Sequence, residues 1–184
     1  MSSTTEFYIP HFVMRKKTHG SPRITDIWAF KSSRSKKRYI VEVEGYEHEF
    51  YGLKFYWKGV EKSKNRYSLL TNDYEPRRII RSCIEIMLDY FRRNEFSSFG
   101  FIAAPDLAKD IVDKPVPNGN RRFGFYKKLM LRLFGDNVFL HCADISNKFY
   151  LMVNRKQLNS GKITLNKIEQ RINETYMGEF TINA

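Results

Sequence analysis

The fold class is decided by the sequence YIVEVEGYEHEFYGLKFYWKGV, which spans residues 39–60. Apolar and polar residues alternate on both sides of Gly45, which predicts two long strands joined by a turn there. Side chains alternate between the two faces of a strand, so every second residue of the second strand lies on the same face. One of these faces carries only large apolar side chains. These residues are Tyr51, Leu53, Phe55 and Trp57. The segment therefore predicts a hairpin in an antiparallel sheet.

Further strands are predicted on both sides of this hairpin. Before it, residues 23–30 alternate through Ile24, Asp26 and Trp28, and residues 6–14 form a possible first strand. After it, short apolar runs predict strands at residues 67–71, 96–104, 137–146 and 148–155. The order is several antiparallel strands, then strand, helix, strand, helix and a final strand pair.

Apolar residues at helical spacing predict three helices. The first follows Pro76 and has its stripe at Ile80, Cys83, Ile84, Met87 and Phe91. The second begins near Asn120 and stops at Gly135, and the third begins near Thr164.

These elements predict an α+β fold. We expect a mixed, mostly antiparallel central sheet packed by two main helices, with an appended C-terminal helix. The predicted division is a basic N-terminal arm at residues 1–21, an α+β domain at 22–158 and a helical extension at 159–184. A long loop with three prolines is expected at residues 105–120.

Charge is the unusual bulk property of the chain. Its 184 residues include 32 Lys and Arg against 20 Asp and Glu, a net charge of +12. This balance favours a nucleic acid or an acidic protein surface as partner, with a merely solvated basic surface as the alternative. The absence of a long apolar run predicts no membrane span, and two widely separated cysteines fit a reducing compartment. We therefore expect a cytoplasmic protein.

Arginines mark the starts of the first two helices. Cations at a helix N-terminus oppose the macrodipole, so their presence there predicts a bound phosphate or carboxylate. These residues are Arg77, Arg78 and Arg81 on the first helix, and Arg121 and Arg122 on the second. The alternative is a solvated face on which Glu75 and Glu85 are the local partners.

Basic residues also crowd the predicted turns, interleaved with aromatic residues. This composition suits phosphate contacts and the stacking of unpaired bases, or else a sheet core with charged turns. The candidates for contact with a nucleic acid or an acidic partner are Arg15, Lys16, Lys17, Arg34, Lys36, Lys37, Arg38, Lys62, Lys64 and Arg66. No His or Cys stands at zinc-ligand spacing, so no metal site is expected.

The order of elements over residues 22–155 resembles the GNAT (GCN5-related N-acetyltransferase) fold. Locally, RRFGFYKKLMLRLFG at residues 121–135 is similar to the second-helix segment of that family. The resemblance implies acetyl-CoA as a cofactor and Tyr126 as a general acid. The segment LLTNDYEPRRIIRSC at residues 69–83 lacks the glycines of the family's pyrophosphate loop. The chain is also similar to bacterial domains of unknown function, which implies no activity.

The charge and the missing loop together favour a non-catalytic basic binding protein without a cofactor. It would hold nucleic acid or an acidic protein surface through its basic turns and arginine-bearing helix starts. One alternative is a divergent acyl-CoA-dependent N-acyltransferase. The other is a structural subunit of a larger assembly, whose N-terminal residues order on docking.

Overall fold

The computed structural model of the protein describes residues 6–20, 22–67, 75–102, 121–144, 149–176 and 181–182. The strands are β1 (His11–Lys17), β2 (Ile24–Lys31), β3 (Arg38–Gly45), β4 (Phe50–Trp57), β5 (Ser98–Ile102), β6 (Phe139–Asp144) and β7 (Phe149–Asn154). The helices are α1 (Pro76–Arg93), α2 (Arg121–Phe134), α3 (Arg155–Asn159) and α4 (Leu165–Tyr176). Two short 3-10 turns, Glu47–Glu49 and Lys58–Val60, flank β4.

The seven strands form one sheet in the order β1-β2-β3-β4-β5-β7-β6. Among these strands, β4 and β5 are the only parallel neighbours, and every other pair is antiparallel. The predicted α+β class with a mixed, mostly antiparallel sheet is therefore confirmed.

The hairpin predicted from residues 39–60 consists of β3 and β4. Its register runs from Tyr39 opposite Trp57 to Gly45 opposite Tyr51. A Cβ atom at Gly45 would lie 2.5 Å from Cγ1 of Ile24 on β2, so a larger residue here would displace the Ile24 side chain. Val41 and Val43 are buried as the alternation predicts.

Helices cover both faces of the sheet. Helix α1 packs its stripe of Ile80, Cys83, Ile84 and Met87 onto one face, and Tyr126 and Met130 of α2 join the same cluster. Ile168 and Ile172 of α4 pack on the other face, in a cluster with Leu151 and Val153 of β7. Burial of these side chains is the main source of stability.

Several predicted boundaries fall differently or lie outside the described residues. The predicted N-terminal arm includes residues 11–17, which form β1 within the sheet. Of the predicted strand at 67–71 only Tyr67 is described, and the long loop predicted at 105–120 is outside the described ranges.

Candidate polyanion interface

One end of the sheet gathers basic residues from separate segments. Strand β2 ends there at Lys31, directly opposite Arg38 at the start of β3. Tyr39 pairs with Trp57 at the end of β4, so β4 finishes at the same end. Lys37 Nζ lies 4.9 Å from the Trp57 ring centroid, which brings the β2–β3 turn against the end of β4.

The start of α1 is joined to this end through Glu75. Its side chain is buried, with 8% of the residue exposed, and the residue is the N-cap of α1. The carboxylate accepts one hydrogen bond from the Tyr8 hydroxyl and one from the Ser32 hydroxyl in the β2–β3 turn, both at 2.5 Å. Ser32 Oγ also accepts from the backbone N–H groups of Arg34 and Ser35, which fixes the turn.

We call this surface the basic rim. Its segments are residues 31–38, 58–67 and 75–78, which the structure describes throughout. The basic residues within them are Lys31, Arg34, Lys36, Lys37, Arg38, Lys58, Lys62, Lys64, Arg66, Arg77 and Arg78. The acidic residues in these segments are Glu61 and the buried Glu75, so the rim carries a large excess of positive charge.

The three arginines predicted at the start of α1 differ in their surroundings. Arg77 is exposed, whereas the Arg78 guanidinium stacks 4.5 Å from the Tyr8 ring centroid. Arg81 lies one turn further on, and its Nε is 3.4 Å from Oε1 of Glu85. Arg77 and Arg78 lie within the rim segment 75–78. Arg81 has Glu85 as its local acidic partner, as the alternative interpretation expected.

Helix α2 points its start toward the same end of the sheet. Its last residue, Phe134, is followed closely by β6, whose first residue Phe139 pairs with Asn154 at the opposite end. The side chains of Arg121 and Arg122 are outside the described set. Tyr126, one turn later, is buried with its ring centroid 6.1 Å from that of Phe101.

Other candidate residues lie elsewhere or have partners within the chain. Lys16 and Lys17 are exposed at the end of the sheet opposite the rim, because Lys17 pairs with Ile24 at the start of β2. Arg15 forms a two-pronged ion pair with Asp26, with nitrogen–oxygen distances of 2.6 and 2.7 Å. Lys62 and Lys64, by contrast, belong to the basic rim and are exposed.

Arg66 is engaged with aromatic rings on the face of the sheet opposite α1. Its guanidinium carbon is 4.6 Å from the Tyr67 ring centroid and 5.3 Å from that of Tyr56. Arg66 also donates a hydrogen bond to the Tyr67 hydroxyl. The Tyr67 hydroxyl donates in turn to Glu42 on β3, so this arginine is held by a network within the chain.

Most of the interleaved aromatic residues belong to the core. Trp28, Phe30, Tyr39 and Tyr56 are buried, so their rings are not available for stacking with bases. Trp57 is half-buried, and its ring is covered by Lys37. The rim is thus suited to contacts with charged groups more than to base stacking.

The described residues include no group of three or more His, Cys, Asp or Glu side chains arranged to hold a metal ion. Cys83 and Cys142 are free and buried, and burial raises the pKa of the Cys142 thiol to about 11. His141 bonds to the Tyr150 hydroxyl and to the Gly135 carbonyl. It therefore serves to hold the end of α2 to the sheet.

A second concave surface, not predicted from the sequence, lies between the β3–β4 turn and α4. This cleft of about 260 Å³ has an apolar floor that includes Phe50 and Ile168. On its border, Glu47 accepts hydrogen bonds from Arg23 and Arg171 at 2.5 and 2.6 Å. Both arginines at Glu47 are therefore paired with an acid.

Comparison with known proteins gives no relative. No protein-family model matches the sequence, and searches of curated proteins and of solved structures find no significant match. Within the described ranges, every helix is too short or too polar to cross a membrane.

Proposed function

We propose that this is a non-catalytic binding protein that holds an acidic partner, nucleic acid or an acidic protein surface, at the basic rim. The observation that supports it is the rim itself, where the β2–β3 turn, the end of β4 and the start of α1 meet. Lys and Arg from all three segments are spread over one continuous end of the sheet. Phosphate groups along a nucleic acid backbone require charge distributed in this way.

The mechanism is charge complementarity with counterion release. Arg34, Arg38 and Arg77 are exposed and suited to two-pronged contacts with phosphate or carboxylate groups. Lys36 and Lys62 add point charges beside them. Binding of nucleic acid by such a surface is insensitive to base sequence and weakens steeply with salt.

A double charge reversal on the rim tests this proposal. We expect Arg34→Glu with Arg38→Glu to weaken binding of a labelled single-stranded RNA at least tenfold, because two phosphate contacts become repulsive. The slope of log affinity against log salt should fall by about one for each lost contact. Fluorescence polarisation across a salt series measures both quantities.

The control is Lys162→Glu with Lys167→Glu, exposed residues on and before α4 that change the net charge by the same amount. Equal weakening by the two double variants would mean that only net charge matters and would contradict a site at the rim. Polyglutamate serves as the acidic-protein probe. Binding of polyglutamate alone, lost in the rim variant, would assign the site to an acidic protein surface.

A second candidate is a divergent acyl-CoA-dependent N-acyltransferase. It is favoured by the parallel pair β4 and β5, in which each strand precedes a helix that begins at the rim end, as in the GNAT-like order. Pairing between them runs from Phe50 opposite Ser98 to Leu53 opposite Phe101, and β4 continues to Trp57 beyond that point. Arg77 and Arg78 would hold coenzyme A phosphates, and Tyr126 would be the proton donor.

Calorimetry with acetyl-CoA distinguishes the two candidates. The non-catalytic proposal expects no saturable heat, because the residues before α1 contain no glycine-rich loop for the pyrophosphate. A micromolar Kd that weakens in Arg77→Ala and in Arg78→Ala, but not in Lys167→Ala, would favour the enzyme. Acetyl transfer abolished by Tyr126→Phe would then identify the acid.

A further inference from the structure

Strand β1 is an edge strand with an open side. In the part of the chain that the structure describes, β1 pairs with β2 and has no strand on its other side. All seven of its residues are exposed. An edge of this kind presents unpaired backbone N–H and C=O groups that can accept another strand.

Apolar side chains are concentrated on this strand and just before it. Eight large hydrophobic residues are exposed among the described ones, and four of them fall within six consecutive positions. They are Ile9, Phe12, Val13 and Met14, with 76, 49, 51 and 47% of their surface exposed. Phe12 lies opposite Trp28 and Met14 opposite Ile27, so the apolar side chains flank the edge on both faces of the sheet. A strand added to this edge would also place its side chains on both faces.

The charge of the strand indicates the kind of partner. Arg15 is already neutralised by Asp26 and anchors the strand, whereas Lys16 and Lys17 are exposed. A second copy of the chain carries the same net charge of +12 and would bring its own Lys16 and Lys17 to this edge, which opposes pairing. An acidic partner strand removes that repulsion.

Protection of the edge against aggregation is the competing interpretation. Exposed lysines and a bulge are common protective devices, and β1 has Lys16, Lys17 and a register shift between Phe12 and Met14. Protection does not account for the exposed apolar residues, which increase the tendency of an edge to pair. Lysines together with exposed apolar residues fit an edge that binds one kind of partner better than an edge that is protected against all pairing.

We propose that β1 binds an extended segment of a partner protein by strand addition. Acidic residues of the segment lie beside Lys16 and Lys17, and its apolar residues lie beside Ile9, Phe12, Val13 and Met14. This inference goes beyond binding at the basic rim, because Lys16 and Lys17 lie at the opposite end of the sheet. The two surfaces can be inactivated separately.

The probe is a fluorescein-labelled peptide in which a run of Asp and Glu precedes alternating Val and Thr. Its acidic half meets Lys16 and Lys17 when it runs antiparallel to β1. A second peptide carries N-methyl groups on alternate residues, which remove backbone donors and leave the side chains unchanged. We expect at least tenfold weaker binding for the N-methylated peptide, and slower amide exchange within β1 when the unmodified peptide binds.

Variants of the protein complete the test. Lys16→Glu with Lys17→Glu should weaken binding of the unmodified peptide at least tenfold. Arg34→Glu with Arg38→Glu on the rim should leave the peptide affinity within about twofold of the native value. Thermal unfolding of each variant verifies that the fold is intact. Failure of the peptide to bind saturably, or equal binding of the N-methylated peptide, would overturn the proposal. A dimer in sedimentation that Val13→Asp dissociates would assign the edge to a second copy instead.

Discussion

Replacing Arg15 with Met should lower the free energy of unfolding at neutral pH by about 1.5–3 kcal/mol. Asp26 is 1% exposed and bonds to Arg15 on β1 and to the Tyr90 hydroxyl on α1. Without Arg15 the buried carboxylate loses its counter-charge, which usually costs about 3–5 kcal/mol. We reduce that range because 45% of the Arg15 side chain is exposed, so water screens part of the interaction.

The direction in which acid changes the stability of this variant distinguishes an ion pair from simple packing. Burial works to raise the pKa of Asp26, but the hydrogen bonds from Arg15 and Tyr90 and the Arg15 charge lower it below its usual value. In the native protein this contribution is present above about pH 4 and is lost as the pH falls through the lowered pKa. In Arg15→Met burial dominates, the pKa rises, and the protein should gain stability on mild acidification.

The double variant Arg15→Met with Asp26→Leu is the control. An apolar pair of similar size often matches a buried ion pair in stability, so it should recover most of the loss. Denaturant unfolding at several pH values measures all three proteins. If Arg15→Met shows the same acid profile as the native protein, Asp26 is not governed by Arg15 and the interpretation of this network is wrong.

Periodicity predicted the central hairpin of the sheet and the buried face of the first helix. The alternation in residues 39–60 predicted β3 and β4, and the stripe from Ile80 to Met87 predicted the buried face of α1. Both follow from local geometry, since residues two apart in a strand or three to four apart in a helix share a face. The pairing of β1 with β2 rests on contacts that this local pattern does not encode.

The candidate site was less predictable, because it depends on residues that are distant in sequence. Arg15 was expected to contact a partner, yet Asp26 on the neighbouring strand neutralises it. The alternative interpretation placed Glu75 on a solvated face, yet it is buried and bonds to Tyr8 and Ser32. Local sequence shows that charge is present, but only the strand register determines which charges are compensated within the fold.

Glu75→Ala should lower the free energy of unfolding by about 3–6 kcal/mol, since two hydroxyl groups lose a charged acceptor at about 1.5–3 kcal/mol each. The hydroxyl groups of Tyr8 and Ser32 would remain buried, but the carboxylate that accepts their hydrogen bonds would be absent. Tyr8→Phe, which removes one of these hydrogen bonds and leaves the carboxylate, should cost about half as much. Chemical denaturation of both variants measures the difference.

The same variant tests how the rim is assembled. If charge alone matters, removing the negative charge of Glu75 should strengthen polyanion binding, because the protein then attracts the polyanion more strongly. If Glu75 holds the start of α1 against the β2–β3 turn, Glu75→Ala should instead weaken RNA binding several-fold, although the protein becomes more positive. Tighter binding by a folded Glu75→Ala protein would show that the rim needs no fixed geometry. Weaker binding, together with a smaller salt slope, would show that its arginines act as one preorganised surface.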